Sequence, residues 1–317
     1  MTKFKLTPYS IRIKKKKSDS YLNINEIPTD NGNINLLEIF NILCDKYNTE
    51  VYEIVDRQKT FCIENVSFDK NKQCISGIIK SGEYGIETDY YNVEQKKRIS
   101  SARKKEDSEE MPFFFLFHSP QHIKNTNLCF LILGKFKQFG VKTVLEKVIQ
   151  EMVEKENSEL LMEIYPLISN ELMDMLDSSR IMELKFIKKK VPKDIANKNL
   201  IKNYEDVKEV RSFIVKRNKE IIFNIKENIL KILKDIEYPY YEFQNEKYDD
   251  VKIVVKKEDN AHTISLEDLP KFREVMPLNP NDIIIGENGF PTKNSLLEKA
   301  KEYMNIILEK YDENLLH

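Results

Sequence analysis

The sequence predicts an α+β protein, with a mainly antiparallel β half at the N-terminus that holds one or two helices and a mixed α/β half at the C-terminus. Apolar residues recur at every second position over much of residues 1–156, which is typical of strands. Residues 35–47 and 141–156 instead show the three-and-four spacing of amphipathic helices. Beyond Glu156 the composition changes, and strand-like and helical segments alternate. We therefore predict a β-rich domain over residues 1–156 and a mixed α/β domain over residues 157–317, which ends in an amphipathic helix.

The first half of the chain begins with a predicted strand, Lys3–Lys17, whose apolar residues alternate loosely and whose terminal lysines blunt a sheet edge. The one-sided stripe of residues 35–47 follows, with Asn35 in the position of an N-cap. The period then returns to two in the stretches VYEIVD, FCIENVSF and QCISGIIKSGEYGIET, which indicates a curled antiparallel sheet. Residues 96–110, KKRISSARKKEDSEE, are polar throughout, so we predict a solvated loop there, or a helix without an apolar face.

The most apolar part of the chain, Phe113–Met152, predicts the centre of the fold. It contains two strands, Phe113–His118 and Leu128–Gly134. A helix over residues 141–156 follows them, and its apolar stripe consists of Val141, Val144, Leu145, Val148, Ile149, Met152 and Val153.

The second half predicts strands at Leu160–Ile168 and Ile181–Ile187, with a short helix capped by Ser169 between them, so a parallel βαβ pair is an open alternative. A last amphipathic helix starts at Thr292 or Asn294. Between these segments the pattern predicts a strand at Arg211–Lys216, a helix at Glu220–Ile236, two strands joined by a turn at Tyr241–His262, and a short helix at Leu266–Val275.

Charge and cysteine usage limit the class of protein. The net charge is -1, so binding of nucleic acid requires a local basic patch. The scattered Cys44, Cys62, Cys74 and Cys129 are typical of reduced core cysteines in a cytosolic protein. No run approaches the roughly 18–20 apolar residues of a membrane helix, and we predict a soluble, cytoplasmic protein without membrane association. The heavy use of Lys, Asn and Ile indicates an AT-rich genome, such as that of a low-GC bacterium or a mobile element.

The loop between Gly134 and Gly140 follows an apolar strand and leads into a helix that begins with a Lys-Thr pair, in the outline of a phosphate-binding P-loop. The order of residues departs from that motif, because Val141 precedes the lysine and two phenylalanines occupy the space where backbone amides wrap a phosphate. We expect a basic, aromatic loop that either folds its rings onto the core or stacks them on bases while its lysines contact phosphates. The residues concerned are Lys135, Phe136, Lys137, Phe139 and Lys142.

A metal site is an alternative at the nearby histidines. His118 and His122 flank a Ser-Pro turn, and Cys129 follows in the next strand. A zinc site needs three or four ligands, and a cysteine in an apolar strand is expected in the core. We therefore predict no metal here, with His118 and His122 as ordinary loop histidines.

The strand IMELKFI places Glu183 and Lys185 on one face, as in the ExK half of a metal-dependent nuclease site, where a carboxylate holds the metal and a lysine orients water. Glu163, on the preceding strand, is the candidate for the other carboxylate, and Asp174 and Asp177 lie between them. Such a site would bind Mg²⁺, the one cofactor that this alternative requires. The plain alternative is a set of exposed charges on a sheet face, because Glu-x-Lys is frequent in a chain so rich in both residues.

From these features we expect a non-catalytic component of a bacterial phage-defence or mobile-element system, which binds a partner protein or a second copy of itself and has nucleic acid as an open further ligand. The enzyme alternative is a metal-dependent nuclease that uses Glu163, Glu183 and Lys185. The expected contact surface joins three basic clusters with the aromatic loop, and comprises Lys14, Lys15, Lys16, Lys135, Phe136, Lys137, Phe139, Lys142, Lys188, Lys189 and Lys190.

Overall fold

A computed structural model shows a mixed α+β fold that is mostly β and contains a large antiparallel sheet, which confirms the predicted α+β class. The chain divides into two compact units: a first unit of Met1–Ile164 with Val275–His317, and a second unit of Tyr165–Glu274. The residues that the structure describes are 4–18, 20–30, 32–120, 126–167, 180–188, 209–214, 241–243, 246–257, 260–265 and 275–315.

The described elements of the chain before residue 167 are β1 (Phe4–Lys15), β2 (Ile27–Thr29), β3 (Gly32–Ile34), α1 (Leu36–Tyr47), β4 (Tyr52–Ile54), β5 (Lys59–Asp69), β6 (Cys74–Glu83), β7 (Thr88–Asn92), β8 (Lys97–Arg103), β9 (Glu109–His118), β10 (Cys129–Phe136), α2 (Lys142–Glu156) and β11 (Leu160–Pro166). The later ones are β12 (Arg180–Lys188), β13 (Glu209–Ile214), β14 (Tyr241–Phe243), β15 (Glu246–Tyr248), β16 (Asp250–Lys257), β17 (Asn260–Ser265), β18 (Met276–Pro277) and α3 (Lys293–Leu315).

The large sheet has the strand order β11-β1-β10-β9-β6-β5-β4, with β18 also paired to β1. The two most apolar strands, β9 and β10, lie side by side near its middle, with Phe117 opposite Leu131. Because neighbouring residues of a strand point to opposite faces, both faces of these strands are apolar, and each face needs a cover.

Helices α1 and α2 cover one face. Their buried stripes pack with every second residue of the central strands, including Phe113, Phe115 and Phe117 of β9. The ring of Phe40 in α1 stacks on Phe117, with centroids 4.3 Å apart and planes 11° from parallel. Aromatic stacking and burial together fix α1 to the sheet.

Helix α3 covers the opposite face, where Phe114 and Leu116 of β9 are buried. Its own buried stripe includes Leu296, Met304 and Ile307. The end of the chain therefore belongs to the first unit, because the second face of the large sheet would otherwise expose its apolar residues to water. The two compact units meet after Ile164 and after Glu274, whereas the predicted domains 1–156 and 157–317 meet after Glu156.

In the second unit, β12 lies between β13 and β16, and β16 pairs with β17; every one of these pairings is antiparallel. The parallel βαβ alternative for Leu160–Ile168 and Ile181–Ile187 is wrong, because β11 belongs to the large sheet and antiparallel neighbours take up the hydrogen-bonding groups on both sides of β12. The predicted helices that follow Ser169, that span Glu220–Ile236 and that begin at Leu266 lie outside the described residues.

The start of α1 provides a stability prediction. The Asn35 side chain accepts a hydrogen bond of 2.7 Å from the backbone N–H of Glu38, so Asn35 is the N-cap of the helix. Asn35→Ala is expected to lower the free energy of unfolding by about 1 kcal/mol, because that N–H loses its shorter hydrogen bond and keeps only the bond of 3.1 Å to the backbone oxygen of residue 35. Urea denaturation followed by circular dichroism measures this change. The control is Asn41→Ala within the same helix, and an equal loss in both variants would contradict the capping role.

Candidate functional site

The glycine-bounded loop forms a tight turn between β10 and α2. Phe136 and Phe139 exchange backbone hydrogen bonds of 3.1 and 2.8 Å, and Lys137 takes a positive φ of 52°. Two of the amides that a P-loop would aim at a phosphate are therefore already used inside the turn.

The two phenylalanines of this turn differ in environment. The ring of Phe136 packs against Phe4 and Phe290, with centroids 4.9 and 5.4 Å away. Phe139 is 42% exposed. Among the lysines, Lys137 lies over the Phe136 ring at 5.1 Å, and Lys142 forms an ion pair of 2.7 Å with a glutamate one turn along α2. Phe139 is thus the more exposed of the two rings in this loop.

The lysines at the end of β1 lie far from this turn. In the pairing of β1 with β10, Lys135 stands opposite Lys5, nine residues before Lys14. At about 3.3 Å per residue, the two clusters are roughly 30 Å apart along the sheet. Lys14 and Lys16 are each paired with a carboxylate at 2.8 Å, those of Glu163 and Glu154 respectively. The residue between them, Lys15, is exposed.

The third predicted cluster belongs to the second unit. The Lys188 ammonium lies 5.1 Å from the centre of the Tyr248 ring and 3.9 Å from the Glu209 carboxylate. Lys189 and Lys190 lie outside the described residues. Lys188 therefore has a local packing role within its own sheet.

The proposed nuclease residues lie in two different sheets. Glu163 is in β11 of the large sheet, whereas Glu183 and Lys185 are in β12 of the second unit, where they pair at 3.2 Å. A hydrogen bond from the Ser212 hydroxyl, and then that from Lys185, lowers the pKa of Glu183. Asp174 and Asp177 lie outside the described residues. The nuclease alternative stays a prediction.

Of the two histidines considered for a metal site, the structure describes His118. His118 ends β9, where it stands opposite Cys74 of β6 and Phe130 of β10, and His122 lies outside the described residues. Burial raises the pKa of the Cys129 thiol to about 12, which disfavours the thiolate that binds metals. In the described part of the chain, no group of three or more His, Cys, Asp or Glu side chains is placed to hold a metal ion.

The polar stretch at residues 96–110 forms part of a β-hairpin, so the predicted solvated loop or helix is wrong over most of its length. Strand β8 pairs with β7, with Tyr91 opposite Arg98 and Tyr90 opposite Ile99. We call residues 88–103, which comprise β7, the turn and β8, the ribbon. The sequence signal for this hairpin is the Tyr90-Tyr91 pair and Ile99 on either side of a short turn at residues 93–96.

Both faces of the ribbon meet solvent. Tyr90 and Tyr91 point to opposite faces and are 46% and 57% exposed, and Ile99 is 51% exposed. An isolated two-stranded hairpin is marginally stable by itself, and exposed apolar side chains on such an element are typical of a contact surface.

Five exposed cations lie along the ribbon and at its base. Three are consecutive at the turn and two follow β8, and no described residue forms an ion pair with any of them. This distinguishes them from Lys14, Lys16 and Lys142, whose charges are neutralised by neighbouring carboxylates. The five cations are Lys96, Lys97, Arg98, Lys104 and Lys105.

The base of the ribbon is firmly held. The buried Arg103 donates hydrogen bonds to the carboxylate of Glu109 and to the backbone oxygen of Glu83, both at 2.7 Å. The backbone N–H of Gly85 donates to the oxygen of Lys105 at 2.7 Å, which closes the hairpin where it leaves the sheet. The ribbon is therefore anchored at one end and exposed over the rest of its length.

The ribbon base and the exposed Phe139 adjoin one another. A cavity of about 350 Å³ lies between them, and its wall includes Arg103 and Glu109 on one side and Phe136, Phe139 and Gly140 on the other. The structure therefore connects part of the predicted aromatic loop with a basic hairpin that sequence patterns missed. Lys14, Lys15 and Lys16 are not part of this surface.

Fold and site define a class: an α+β protein with a large antiparallel sheet covered by helices on both faces, which presents a basic, aromatic ribbon. Compared with known proteins, the chain matches no family model, no curated protein and no solved structure. Among the described helices, none has both the length and the apolar character needed to cross a bilayer.

Proposed function

We propose that the protein is a non-catalytic binding component whose ligand is nucleic acid, and that the ribbon is its main contact element. The observation that carries this proposal is the set of five exposed cations without carboxylate partners beside two half-exposed tyrosines. The expected setting, a bacterial phage-defence or mobile-element system, is retained as part of the proposal.

Each part of the ribbon suits this ligand. Unpaired Lys and Arg side chains bind phosphates with release of condensed counterions, which supplies most of the non-specific affinity of DNA-binding proteins. Tyr90 and Tyr91 offer flat rings for stacking on unpaired bases. A two-stranded ribbon with both faces exposed also has the shape that enters the major groove of duplex DNA. The exposed Phe139 extends the aromatic surface at the ribbon base.

A partner protein is the second candidate ligand, and the exposed apolar side chains of the ribbon favour it. Val93, at the turn, is 77% exposed, and Ile99 is 51% exposed. Exposed aliphatic side chains of this kind pack in the centres of protein interfaces, whereas phosphate groups offer them no apolar contact.

The test compares two variants of equal charge by fluorescence anisotropy with labelled single-stranded and duplex oligonucleotides. The first variant replaces Lys96, Lys97 and Arg98 by glutamine. It is expected to lose affinity for both oligonucleotides by about tenfold or more at low salt, because three phosphate contacts are removed.

The matched control replaces Lys15, Lys17 and Lys70 by glutamine, since these are also exposed lysines but lie outside the ribbon. It is expected to bind almost as the parent protein does. Equal losses in both variants would show attraction by overall charge alone. Absence of salt-sensitive binding in the parent protein would overturn the nucleic-acid proposal and leave the partner protein as the ligand.

A further inference from the structure

The cavity at the ribbon base has a polar group in its floor. Ser81 of β6 lies in register with Phe61 of β5 and Met111 of β9, and strand alternation points all three to the sheet face that α1 and α2 cover. Ser81 is 5% exposed and lines the cavity, and its hydroxyl forms no hydrogen bond with any described residue. A hydroxyl in this position is satisfied only by water or by a ligand in the cavity.

The mouth of the cavity carries two carboxylates side by side. Glu83 of β6 and Glu109 of β9 line the cavity and stand directly opposite one another in the strand pairing, where like charges repel. Their side chains are 68% and 63% exposed. Neighbouring carboxylates are acceptors only, so they favour a ligand with neighbouring N–H donors.

Each carboxylate keeps one oxygen available. One oxygen of Glu83 meets the Lys59 ammonium at 3.1 Å, and one oxygen of Glu109 accepts a hydrogen bond of 2.7 Å from Arg103. Within the described part of the chain, the second oxygen of each carboxylate has no partner. The Nε and Nη2 atoms of Arg103 donate to the backbone oxygens of Asp107 and Glu83. Two cations and two carboxylates leave these four groups without net charge, which favours a neutral donor over a phosphate or a free cation.

The wall of the cavity offers a flat apolar surface. The 42% exposed ring of Phe139 enters it from the loop between β10 and α2, and Met111 beside Ser81 is half-buried. A planar heterocycle stacks on such a ring. Bases of single strands expose their faces for stacking, whereas the bases of a duplex are stacked on one another. Donors, a flat ring and proximity to the ribbon together indicate a nucleobase.

We propose that this cavity holds an unstacked guanine base of a single strand whose phosphates the ribbon binds, an inference that rests on the proposed nucleic-acid function. Guanine fits because its Watson–Crick edge carries two neighbouring N–H donors, whereas each of the other bases offers one donor group there. The two donors meet the available oxygens of Glu83 and Glu109. The base stacks on Phe139, and the Ser81 hydroxyl bonds to a remaining polar atom of the base.

The test uses fluorescence anisotropy to compare the affinity of the full chain for two single strands. One is an oligothymidine with a central guanine, and the other carries adenine at that position. The guanine strand is expected to bind about tenfold or more tightly, because adenine leaves one carboxylate oxygen without a donor. The corresponding duplexes are expected to bind alike, since base pairing hides the edge that the cavity contacts.

Two variants, each with a matched control, locate the base. Phe139→Ala is expected to weaken binding of the guanine strand by about tenfold through loss of stacking, and the control is Phe68→Ala, whose ring is 41% exposed and does not line the cavity. Glu83→Gln is expected to reduce the preference for guanine over adenine to about twofold or less, because an amide presents donors as well as an acceptor. Its control is Glu64→Gln, whose carboxylate pairs with Lys80 at 2.9 Å outside the cavity.

The outcomes separate this inference from the ribbon proposal. Equal affinity for the guanine and adenine strands, or Phe139 and Glu83 variants that bind as their controls do, would overturn the guanine site and leave the ribbon as the nucleic-acid contact. Absence of salt-sensitive binding in the parent protein would overturn both proposals. Because Phe139 and Glu83 lie on different elements, failure of one variant to fold leaves the other as the test.

Discussion

Raising the salt concentration from about 50 to about 200 mM is expected to weaken binding of the protein to duplex DNA by roughly 500-fold. Each phosphate contact changes the logarithm of the binding constant by about 0.9 per decade of salt. If all five unpaired cations of the ribbon and its base contact phosphates, the slope is about -4.5, and a fourfold rise in salt gives this factor. Fluorescence anisotropy at a series of salt concentrations measures the slope directly.

The ribbon variant sharpens this expectation. With Lys96, Lys97 and Arg98 replaced by glutamine, two of the five cations remain, so the slope is expected to fall to about -1.8 and the loss over the same salt range to roughly tenfold. The control variant at Lys15, Lys17 and Lys70 is expected to keep the slope of the parent protein. A slope that stays the same in both variants would place the phosphate contacts elsewhere on the chain.

Phe40→Ala is expected to lower the free energy of unfolding by about 3–5 kcal/mol, the largest stability effect that we predict. Phe40 is fully buried and stacks on Phe117, and Phe115 lies 5.6 Å away between ring centroids. Removal of the ring leaves a cavity between α1 and the sheet, and this part of the sheet cannot collapse to fill it. Urea denaturation measures this loss: the midpoint urea concentration is expected to fall, while the dependence of the unfolding free energy on urea concentration stays unchanged.

The matched control for this prediction is Ile42→Ala in the same helix. Ile42 is 41% exposed, so its truncation is expected to change stability by less than about 1 kcal/mol. If Phe40→Ala and Ile42→Ala lowered the free energy of unfolding by similar amounts, the loss would come from a change in the stability of helix α1 itself and not from the buried ring contact.

Local patterns in the sequence were sufficient for the elements whose stabilising contacts are short in range. The apolar stripe and the N-cap of α1 depend on residues three or four positions apart. The sequence therefore predicted both the helix at residues 35–47 and its N-cap, Asn35. The sequence also predicted the strands β9 and β10, because a run of consecutive apolar residues bounded by polar ones is typical of a strand that is buried on both faces.

Pairing between distant segments was harder to predict. Residues 96–110 are polar when considered alone, and their strand character depends on the tyrosines of β7, which lie on the other side of the turn. The place of α3 in the first unit likewise depends on the uncovered face of the large sheet, which no local pattern describes.

The sequence by itself therefore determined the α+β class, the central apolar strands and the helices that pack by their own periodicity. Only the tertiary structure decided which basic residues remain available to a ligand. Lys14 and Lys16 meet the carboxylates of Glu163 and Glu154, which are remote in the chain, whereas Lys96, Lys97 and Arg98 meet none among the described residues. The physical reason is that charge pairing depends on distances of a few ångströms in the folded chain, and composition contains no such distances.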